Sequence, residues 1–322
     1  MLSLFYMISS SSWMGVWLAM ELNLYTFILM LMLSPNSALP SQPANSAMVY
    51  FIVQAISSWL LILALILMYS NTQFPMPIPQ TLLLMSLLMK LGATPFHFWI
   101  PWMVNNSTWP NTFWFLSMQK LPPLLILHNI FNLLNNYQES SFFSYSLIFT
   151  IILSALFGGL LGLNQTRLQP LLAYSSINQT AWLIFSSTTS FPFMMTYFSF
   201  YSLTLLAICL LMQKTPTLAQ SQPHPYLPLA PAHYHTFMML ILVLSGMPPS
   251  IMFFLKLNVF LLTLSCPFFL VIILPLIVSS LLTMFYYLQF TVSMTLPPKY
   301  YTKHPSPNRP ALLTALPAAI LL

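Results

Sequence analysis

Long apolar runs are the feature that most constrains this chain, because a run of about 20 apolar residues can span a bilayer as a helix. Such runs recur along the whole sequence, separated by connections rich in Pro, Asn and Ser. They do not alternate polar and apolar residues, as the strands of a transmembrane barrel do. Only 3% of the 322 residues are charged, against about 25% in a soluble domain. The chain is therefore predicted to be an all-α polytopic membrane protein.

Eleven transmembrane helices are predicted from the apolar runs. A helix rises about 1.5 Å per residue, so the first and last runs are short for a full crossing. No connection is long enough to form a separate domain, and residues 1–322 are predicted to form a single transmembrane domain. The segments cover approximately residues 1–12, 13–34, 47–69, 79–104, 110–134, 142–163, 170–189, 191–212, 234–265, 267–294 and 309–322.

The charged residues of the connections predict the orientation of the chain, because Lys and Arg gather on the side from which it is inserted. With eleven crossings, five basic residues fall on the face that holds the N-terminus, and Glu139 falls on the opposite face. The N-terminus is therefore predicted to be inside. The five basic residues are Arg167, Lys214, Lys299, Lys303 and Arg309.

The N-terminal sequence carries no targeting pattern, since the first basic residue is Lys90. A signal peptide begins with a positively charged region, and a transit peptide is rich in Arg. We therefore expect one of two routes. The chain is inserted through its own helices, or it is made inside the compartment where it works.

The sequence lacks the patterns that hold cofactors. Its clustered glycines lie in an apolar run and match neither a dinucleotide-binding fingerprint nor a phosphate-binding loop, so we interpret them as sites of close helix packing. Two distant cysteines predict no iron–sulfur, zinc or disulfide site. Three His in a Pro-rich stretch lack Cys or acidic partners, which favours a solvated loop over a metal site. We expect no cofactor, metal or nucleic acid to bind this chain. These residues are Gly158, Gly159, Gly162, Cys209, Cys266, His224, His233 and His235.

Four charged residues lie inside the apolar runs and are the main functional candidates. Two of them, Lys90 and Lys120, lie about ten residues into their helices, near the middle of a hydrocarbon core about 30 Å thick. A charge at that depth costs at least about 2.5–3.5 kcal/mol. Four such residues in one chain favour a function over four separate packing roles. The other two are Glu21 and Lys256.

Two of the helices that carry these lysines are predicted to break in the membrane. Lys90 is followed by a Gly-Ala-Thr-Pro sequence, and Lys256 is preceded by a Gly-Met-Pro-Pro sequence. Broken backbone is tolerated at that depth where it is buried or lines a hydrated cavity, and paired discontinuous helices are typical of transporters built from inverted repeats. Because Lys90 precedes its break and Lys256 follows its own, the two lysines are not simple equivalents in the repeats.

The buried charges suggest proton transfer as the chemistry. Desolvation and neighbouring charges together determine how tightly a buried Lys holds its proton. If Glu21 packs beside Lys90, moving that carboxylate away would change the protonation of the lysine. Lys120 could then load and unload a proton between two hydrated half-channels. Lys256 is the candidate for the terminal donor or acceptor.

Two histidines are further candidates, because His titrates near neutral pH. His97 lies in an aromatic run, and a proton carrier and a hydrogen-bonded core residue are equally good interpretations of it. His128 is a weaker candidate, because eight residues turn it about 80° around the helix from Lys120.

Several blocks of the sequence resemble those of a known protein family. Blocks such as MKLGATPFHFWIP and LSGMPPSIMFFLK are similar to those of the subunit 2 family of the mitochondrial NADH:ubiquinone oxidoreductase, respiratory complex I. The resemblance extends over essentially the whole chain in order. It implies an antiporter-like proton-pumping domain with two discontinuous helices. The matching runs are Trp17 to Phe27, Met89 to Pro101, Gln119 to Pro122, Ala173 to Trp182 and Leu244 to Lys256.

The resemblance also implies a role for each intramembrane charge. It makes Glu21 the carboxylate partner of Lys90. It makes Lys120 the lysine of the central axis, and it makes Lys256 the lysine of the second broken helix, which passes protons onward. Together with His97, these residues are the predicted proton-transfer site.

The partners and cofactors follow from the same resemblance. The chain is expected in the mitochondrial inner membrane with its N-terminus in the matrix, among the other membrane-arm subunits and in contact with the lipid bilayer. NADH, FMN, iron–sulfur clusters and ubiquinone would be used elsewhere in the complex, with none in this chain. The sequence departs from the family pattern at three positions. Gln179 stands where relatives usually have His, Ala181 where they have Gly, and Trp102 where they have Glu.

Two other functions are compatible with the residues themselves. Lysines and broken helices would equally suit a stand-alone cation/proton antiporter. The charged residues could also serve only to stabilise a scaffold within a larger assembly. The stand-alone antiporter is the main alternative to a proton-pumping subunit of a respiratory complex.

Overall fold

The structure is a computed structural model that describes residues 2–10, 12–33, 41–69, 77–136, 141–214, 231–263 and 270–295. These residues form helices joined by short connections, and they contain no strand. The predicted last segment, 309–322, lies outside the described residues. So do six residues that the sequence singles out, which are Glu139, His224, Cys266, Lys299, Lys303 and Arg309.

Ten of the eleven predicted segments have helical counterparts, several of them divided. The bounds are α1 Leu2–Ser9, α2 Trp13–Met32, α3 Ser41–Tyr69, α4 Pro77–Leu91, α5 Trp99–Asn105, α6 Trp109–Leu116, α7 Leu121–Asn136, α8 Ser141–Gly162, α9 Leu168–Ser187, α10 Phe191–Gln213, α11 Pro231–Ser245, α12 Ile251–Thr263 and α13 Leu270–Thr295, with a 3₁₀ turn at Met118–Lys120. Five of these helices, α2, α3, α8, α10 and α13, are long and apolar enough to cross a membrane on their own.

Both predicted breaks are present, one between α4 and α5 and the other between α11 and α12. Each begins directly after the first half-helix at a glycine in the left-handed region, Gly92 with φ +65° and Gly246 with φ +81°. This region is accessible to Gly at little cost, because Gly has no Cβ. Each break also contains one cis bond, at Thr94–Pro95 and at Pro248–Pro249. The two broken helices therefore share one local design.

A third interruption, which the sequence analysis did not predict, lies between α6 and α7. The Ser117 hydroxyl donates to the Phe113 carbonyl at 2.6 Å, and the Lys120 amide donates to the Ser117 carbonyl at 3.0 Å, which closes a 3₁₀ turn. The next turn contains Pro122 and Pro123, which have no N–H to extend the preceding helix. Short 3₁₀ stretches inside a helix often mark functional hinges, and this one ends at Lys120.

Helix α9 forms the centre of the bundle. Of its 20 residues, 17 are buried, and it packs against α5, α7, α8 and α10. It is less apolar than the five spanning helices, because many of its buried side chains are polar. Its surroundings are therefore other helices instead of lipid. The buried polar residues are Ser175, Ser176, Asn178, Gln179, Thr180, Ser186 and Ser187.

Glycines on α8 allow the close packing that the sequence predicts. A Cβ on Gly158 would lie 2.6 Å from the backbone nitrogen of Asn178, so α8 and α9 are in backbone contact at this point. Gly159 and Gly162 face α13 instead, where a Cβ would approach side-chain atoms of Leu282 and Tyr286. Small residues at helix interfaces allow this close approach in membranes.

We expect Gly158→Ala to destabilise the protein by about 1–3 kcal/mol, because the backbone of α9 at Asn178 would have to shift to make room for the methyl group. Gly159→Ala is the matched control. Its Cβ would lie 3.2 Å from the Leu282 Cδ1 atom, which can rotate away. Thermal unfolding of the purified variants in detergent measures the difference. Equal stability of the two variants would contradict the backbone contact at Gly158.

Candidate functional site

Glu21 lies on α2 and is half-buried. Its Oε1 atom is buried and has no hydrogen-bond partner among the described residues. Its carboxylate interacts electrostatically with Lys90 and with the hydroxyl group of Tyr50. The structure therefore places Glu21 in the electrostatic environment of Lys90, without a hydrogen bond from Oε1 to the ammonium.

Lys90 occupies the last turn of α4, immediately before the first break, and only 7% of its surface is exposed. The last carbonyls of a helix have no intrahelical partners and carry partial negative charge, which favours a cation at this end. The position of Lys90 thus combines burial with the favourable end of a helix dipole.

Lys120 is the most deeply buried of the four charged residues, with 3% of its surface exposed. Its Nζ atom donates to the Ser176 carbonyl on α9 at 2.9 Å. It also lies 5.8 Å from the ring centroid of Tyr201, within cation–π range. The Tyr201 hydroxyl in turn donates to the Leu116 carbonyl at 3.3 Å, at the end of α6. The ammonium is therefore held between α9 and α10.

Lys256 lies on α12, but its ammonium reaches back to the break. Nζ donates to the Ser245 carbonyl, the last residue of α11, at 3.5 Å, and lies 5.6 Å from the ring of Trp182. A Cβ on Gly246 would lie 3.0 Å from Nζ, so the missing side chain leaves room for the amine. Lys90 thus lies at the carboxyl end of one first half-helix, and the Lys256 ammonium reaches the carboxyl end of the other, although Lys90 precedes its break and Lys256 follows its own.

One face of α9 connects the two deep lysines. Ser176 accepts from Lys120, and Trp182, six residues later, faces Lys256. Between them, Gln179 accepts a hydrogen bond from the Tyr197 hydroxyl at 2.6 Å and donates to the Leu244 carbonyl at 3.3 Å. Residues three apart are neighbours on a helix surface, so the Ser176 carbonyl and the side chains of Gln179 and Trp182 form a line from Lys120 to the second break.

These connecting residues were not predicted as parts of the site. From the sequence, Gln179 stands out only as a departure from a family pattern, and Tyr197 and Tyr201 are not identified. A signal was present, because α9 is unusually rich in Ser, Thr, Asn and Gln for a membrane segment. That signal marks a buried polar helix, but it does not name the partners.

The two histidines differ in their hydrogen bonding. His97 is buried beside the rings of Phe98 and Phe157, and its ring interacts with the backbone of Pro95 without a well-aligned hydrogen bond. His128 is fully paired. Its Nδ1 contacts the Ser187 carbonyl at 2.6 Å, and the amide of Asn132 contacts its Nε2 at 2.9 Å. A carbonyl only accepts, so Nδ1 is the donor in its contact with Ser187.

The part of the chain that the structure describes contains no group of three or more His, Cys, Asp or Glu that lie close enough together to hold a metal ion. His235 is exposed, and Cys209 is buried with its sulfur 3.5 Å from the Thr112 hydroxyl.

Comparison with known proteins identifies a matching family and similar proteins. A model of the NADH:quinone oxidoreductase/Mrp antiporter transmembrane family matches residues 10–283, which include all four intramembrane charges. The NADH-ubiquinone oxidoreductase chain 2 of Anopheles gambiae is 32% identical over 250 residues, which cover 76% of this chain and 69% of that protein.

Two solved structures share the fold. One is a chain of respiratory complex I from Thermus thermophilus with bound aureothin, with TM-score 0.69, 20% identity, and coverage of 92% of this chain and 69% of that chain. The other is a chain of the Mrp complex from Dietzia sp. DQ12-45-1b, with TM-score 0.73, 16% identity, and coverage of 92% and 59%. At these identities the likeness concerns the fold alone.

We expect Tyr197→Phe to destabilise the protein by about 1–3 kcal/mol, because it leaves the buried Gln179 Oε1 atom without its donor. Tyr25→Phe is the control, since Tyr25 is 54% exposed. The measurement is the thermal unfolding temperature of each purified variant. A Tyr197→Phe protein as stable as the control would show that the 2.6 Å hydrogen bond contributes nothing to stability.

Proposed function

Because the chain belongs to the NADH:quinone oxidoreductase/Mrp antiporter transmembrane family, we propose that it is a membrane-arm subunit of a respiratory NADH:ubiquinone oxidoreductase. In this role it translocates protons across the mitochondrial inner membrane. The relative from Anopheles gambiae bears the name of chain 2 of that enzyme, and the shared length covers most of both proteins.

The observation that carries the proposal is the line of buried charges. Lys90, Lys120 and Lys256 are each at least nine-tenths buried. A charge at membrane depth is expensive and is usually functional. The contacts of α9 join Lys120 to the second break, and Glu21 acts electrostatically on Lys90 at the other end. Proton transfer is the chemistry that this set of side chains can perform.

In this proposal each lysine holds a proton on Nζ and releases it when its electrostatic surroundings change. The Lys120 ammonium is stabilised by the Ser176 carbonyl and the Tyr201 ring, and the Lys256 ammonium by the Ser245 carbonyl. Gln179, between them, has an amide that does not serve as an acid or a base near neutral pH. Protons that pass from Lys120 to Lys256 therefore travel through water beside α9, with Gln179 holding the helices together.

Electron transfer from NADH to ubiquinone would take place elsewhere in the complex. NADH, FMN, iron–sulfur clusters and ubiquinone belong, in this proposal, to the whole enzyme, and this chain carries out no redox step. Its own contribution is to couple a conformational or electrostatic change at its interfaces to proton movement. Its partners are the other membrane-arm subunits and the surrounding lipid.

The proposed orientation places the N-terminus in the matrix. Arg167, between α8 and α9, and Lys214, at the end of α10, are both exposed. Counting one crossing for each of the ten described segments puts both residues on the face of the N-terminus, as expected for the side from which the chain is inserted. In the same proposal residues 1–322 form one antiporter-like domain.

The alternative is a stand-alone cation/proton antiporter, which the likeness in fold to a chain of the Mrp complex favours. Native purification separates the two. We expect the chain to co-migrate with NADH oxidation and ubiquinone reduction in one large complex. A lone oligomer without flavin would instead support the antiporter.

We expect Lys120→Met to abolish proton translocation while the complex still assembles. Met has a similar length but carries no proton, so it fills the space without serving as a relay. The measurement is the number of protons moved per NADH oxidised by the purified complex in proteoliposomes. Lys214→Met is the control, because it removes an exposed lysine outside the buried line. Full pumping by the Lys120→Met complex would contradict the proposed function.

A further inference from the structure

A small cavity of about 20 Å³ lies where α2, α3, α4 and the start of α7 meet. Five of its lining residues are polar. These are Asn23, Tyr50, Gln54, Lys90 and Gln119. Four of them are more than nine-tenths buried, namely Asn23, Tyr50, Gln54 and Lys90.

Gln119 has one end of its amide fixed and the other unpaired. Its Oε1 atom accepts from the Asn23 amide at 3.0 Å and from the Tyr50 hydroxyl at 3.2 Å. Its Nε2 atom is buried and has no hydrogen-bond partner among the described residues. A buried donor without a partner costs about 1–3 kcal/mol of stability. An acceptor bound beside the Gln119 Nε2 atom would remove this cost.

The size and the donors of the cavity define its ligand. One water needs about 10–15 Å³ and two to four polar partners, so about 20 Å³ holds one water and not two. A metal cation would face the Lys90 ammonium and the Gln119 N–H groups, which are both donors. A single water fits, because it can accept from these two groups and donate to the oxygen of Gln54 or Tyr50.

We propose that this cavity is a binding site for one water molecule, and that Asn23, Tyr50 and Gln119 are positioning residues for proton transfer at Lys90. The second half of this proposal rests on the proposed function. When Lys90 gives up its proton, an N–H bond breaks and an O–H bond forms to this water. One of the original O–H bonds of that water breaks, its proton passes to a water outside the cavity, and the bound water is restored.

The same water site connects Lys90 to Lys120. Gln119 and Lys120 are consecutive residues of the 3₁₀ turn, and their side chains make contacts in different directions, Gln119 with α2 and α3 and Lys120 with α9. A shift of this turn would move both the water donor and the Lys120 ammonium. Glu21 also influences this site, because its charge acts on two of the residues that line the cavity, Tyr50 and Lys90.

The first test is a cryo-electron microscopy structure of the intact complex at a resolution that shows buried waters. We expect one water density within hydrogen-bond distance of Gln119 Nε2 and Lys90 Nζ. The density should persist in Lys120→Met and vanish in Gln119→Leu. A cavity closed around direct side-chain contacts, or a density that persists in Gln119→Leu, would overturn the assignment.

The second test measures the function of the positioning residues. We expect Gln119→Leu to lower the rate of proton pumping by up to about tenfold, the upper end of the effect of losing one hydrogen bond between neutral groups, with unchanged assembly. In difference infrared spectra it should also remove one O–H stretching band that shifts in ¹⁸O-labelled water. Gln213→Leu is the control, because Gln213 is exposed at the end of α10. Normal pumping with an unchanged water band would overturn the proposal.

The two proposals fail in different ways. If Lys120→Met pumps normally while the water density is present, the proposed proton axis is wrong and the water site stands. If Lys120→Met loses pumping while Gln119→Leu keeps both its pumping and its water band, the proposed function stands and the water site is wrong.

Discussion

A cation buried in a membrane protein needs oxygen atoms that can accept hydrogen bonds from it, and the whole site depends on this constraint. In a continuous helix each carbonyl already accepts an intrahelical hydrogen bond, whereas the last carbonyls of an interrupted helix do not. Here the interruptions supply the ends at which lysines are held. Lys90 lies at the carboxyl end of α4, and Lys256 reaches the last carbonyl of α11. The same breaks that weaken the helices thus stabilise the charges.

The central helix extends this arrangement beyond the breaks. Lys120 lies in an interruption of its own, but its oxygen partner is the Ser176 carbonyl of intact α9. A carbonyl oxygen has two lone pairs, so the Ser176 carbonyl can accept from the lysine in addition to a hydrogen bond within the helix. Helix α9 therefore has two roles, as a structural core and as a provider of acceptors.

Much of the fold could be predicted from the sequence, because its causes are local. The length of the apolar runs predicts the helices, and the Gly and Pro residues after Lys90 and before Lys256 predict two breaks. The 3₁₀ turn at Lys120 also has local causes in Ser117, Pro122 and Pro123, but it was not predicted, because none of these residues alone excludes a continuous helix.

The side-chain contacts of the site are harder to predict from the sequence than the helices are. Gln179 meets the carbonyl of Leu244, 65 residues later, and Gln119 meets Asn23, 96 residues earlier. Neither pairing follows from spacing or composition, because the packing of whole helices determines it. The backward reach of Lys256 is a similar case, since it requires the open space above Gly246.

The polarity of α9 also has a consequence for how the protein is made. A helix with seven buried Ser, Thr, Asn and Gln residues gains little by entering lipid alone, and its polar side chains would lack partners there. Short connections join it to α8 and α10, which are apolar enough to cross on their own. Biogenesis of this chain therefore favours delivery of the three helices into the bilayer as one unit, with the outer two sheltering the middle one from the acyl chains.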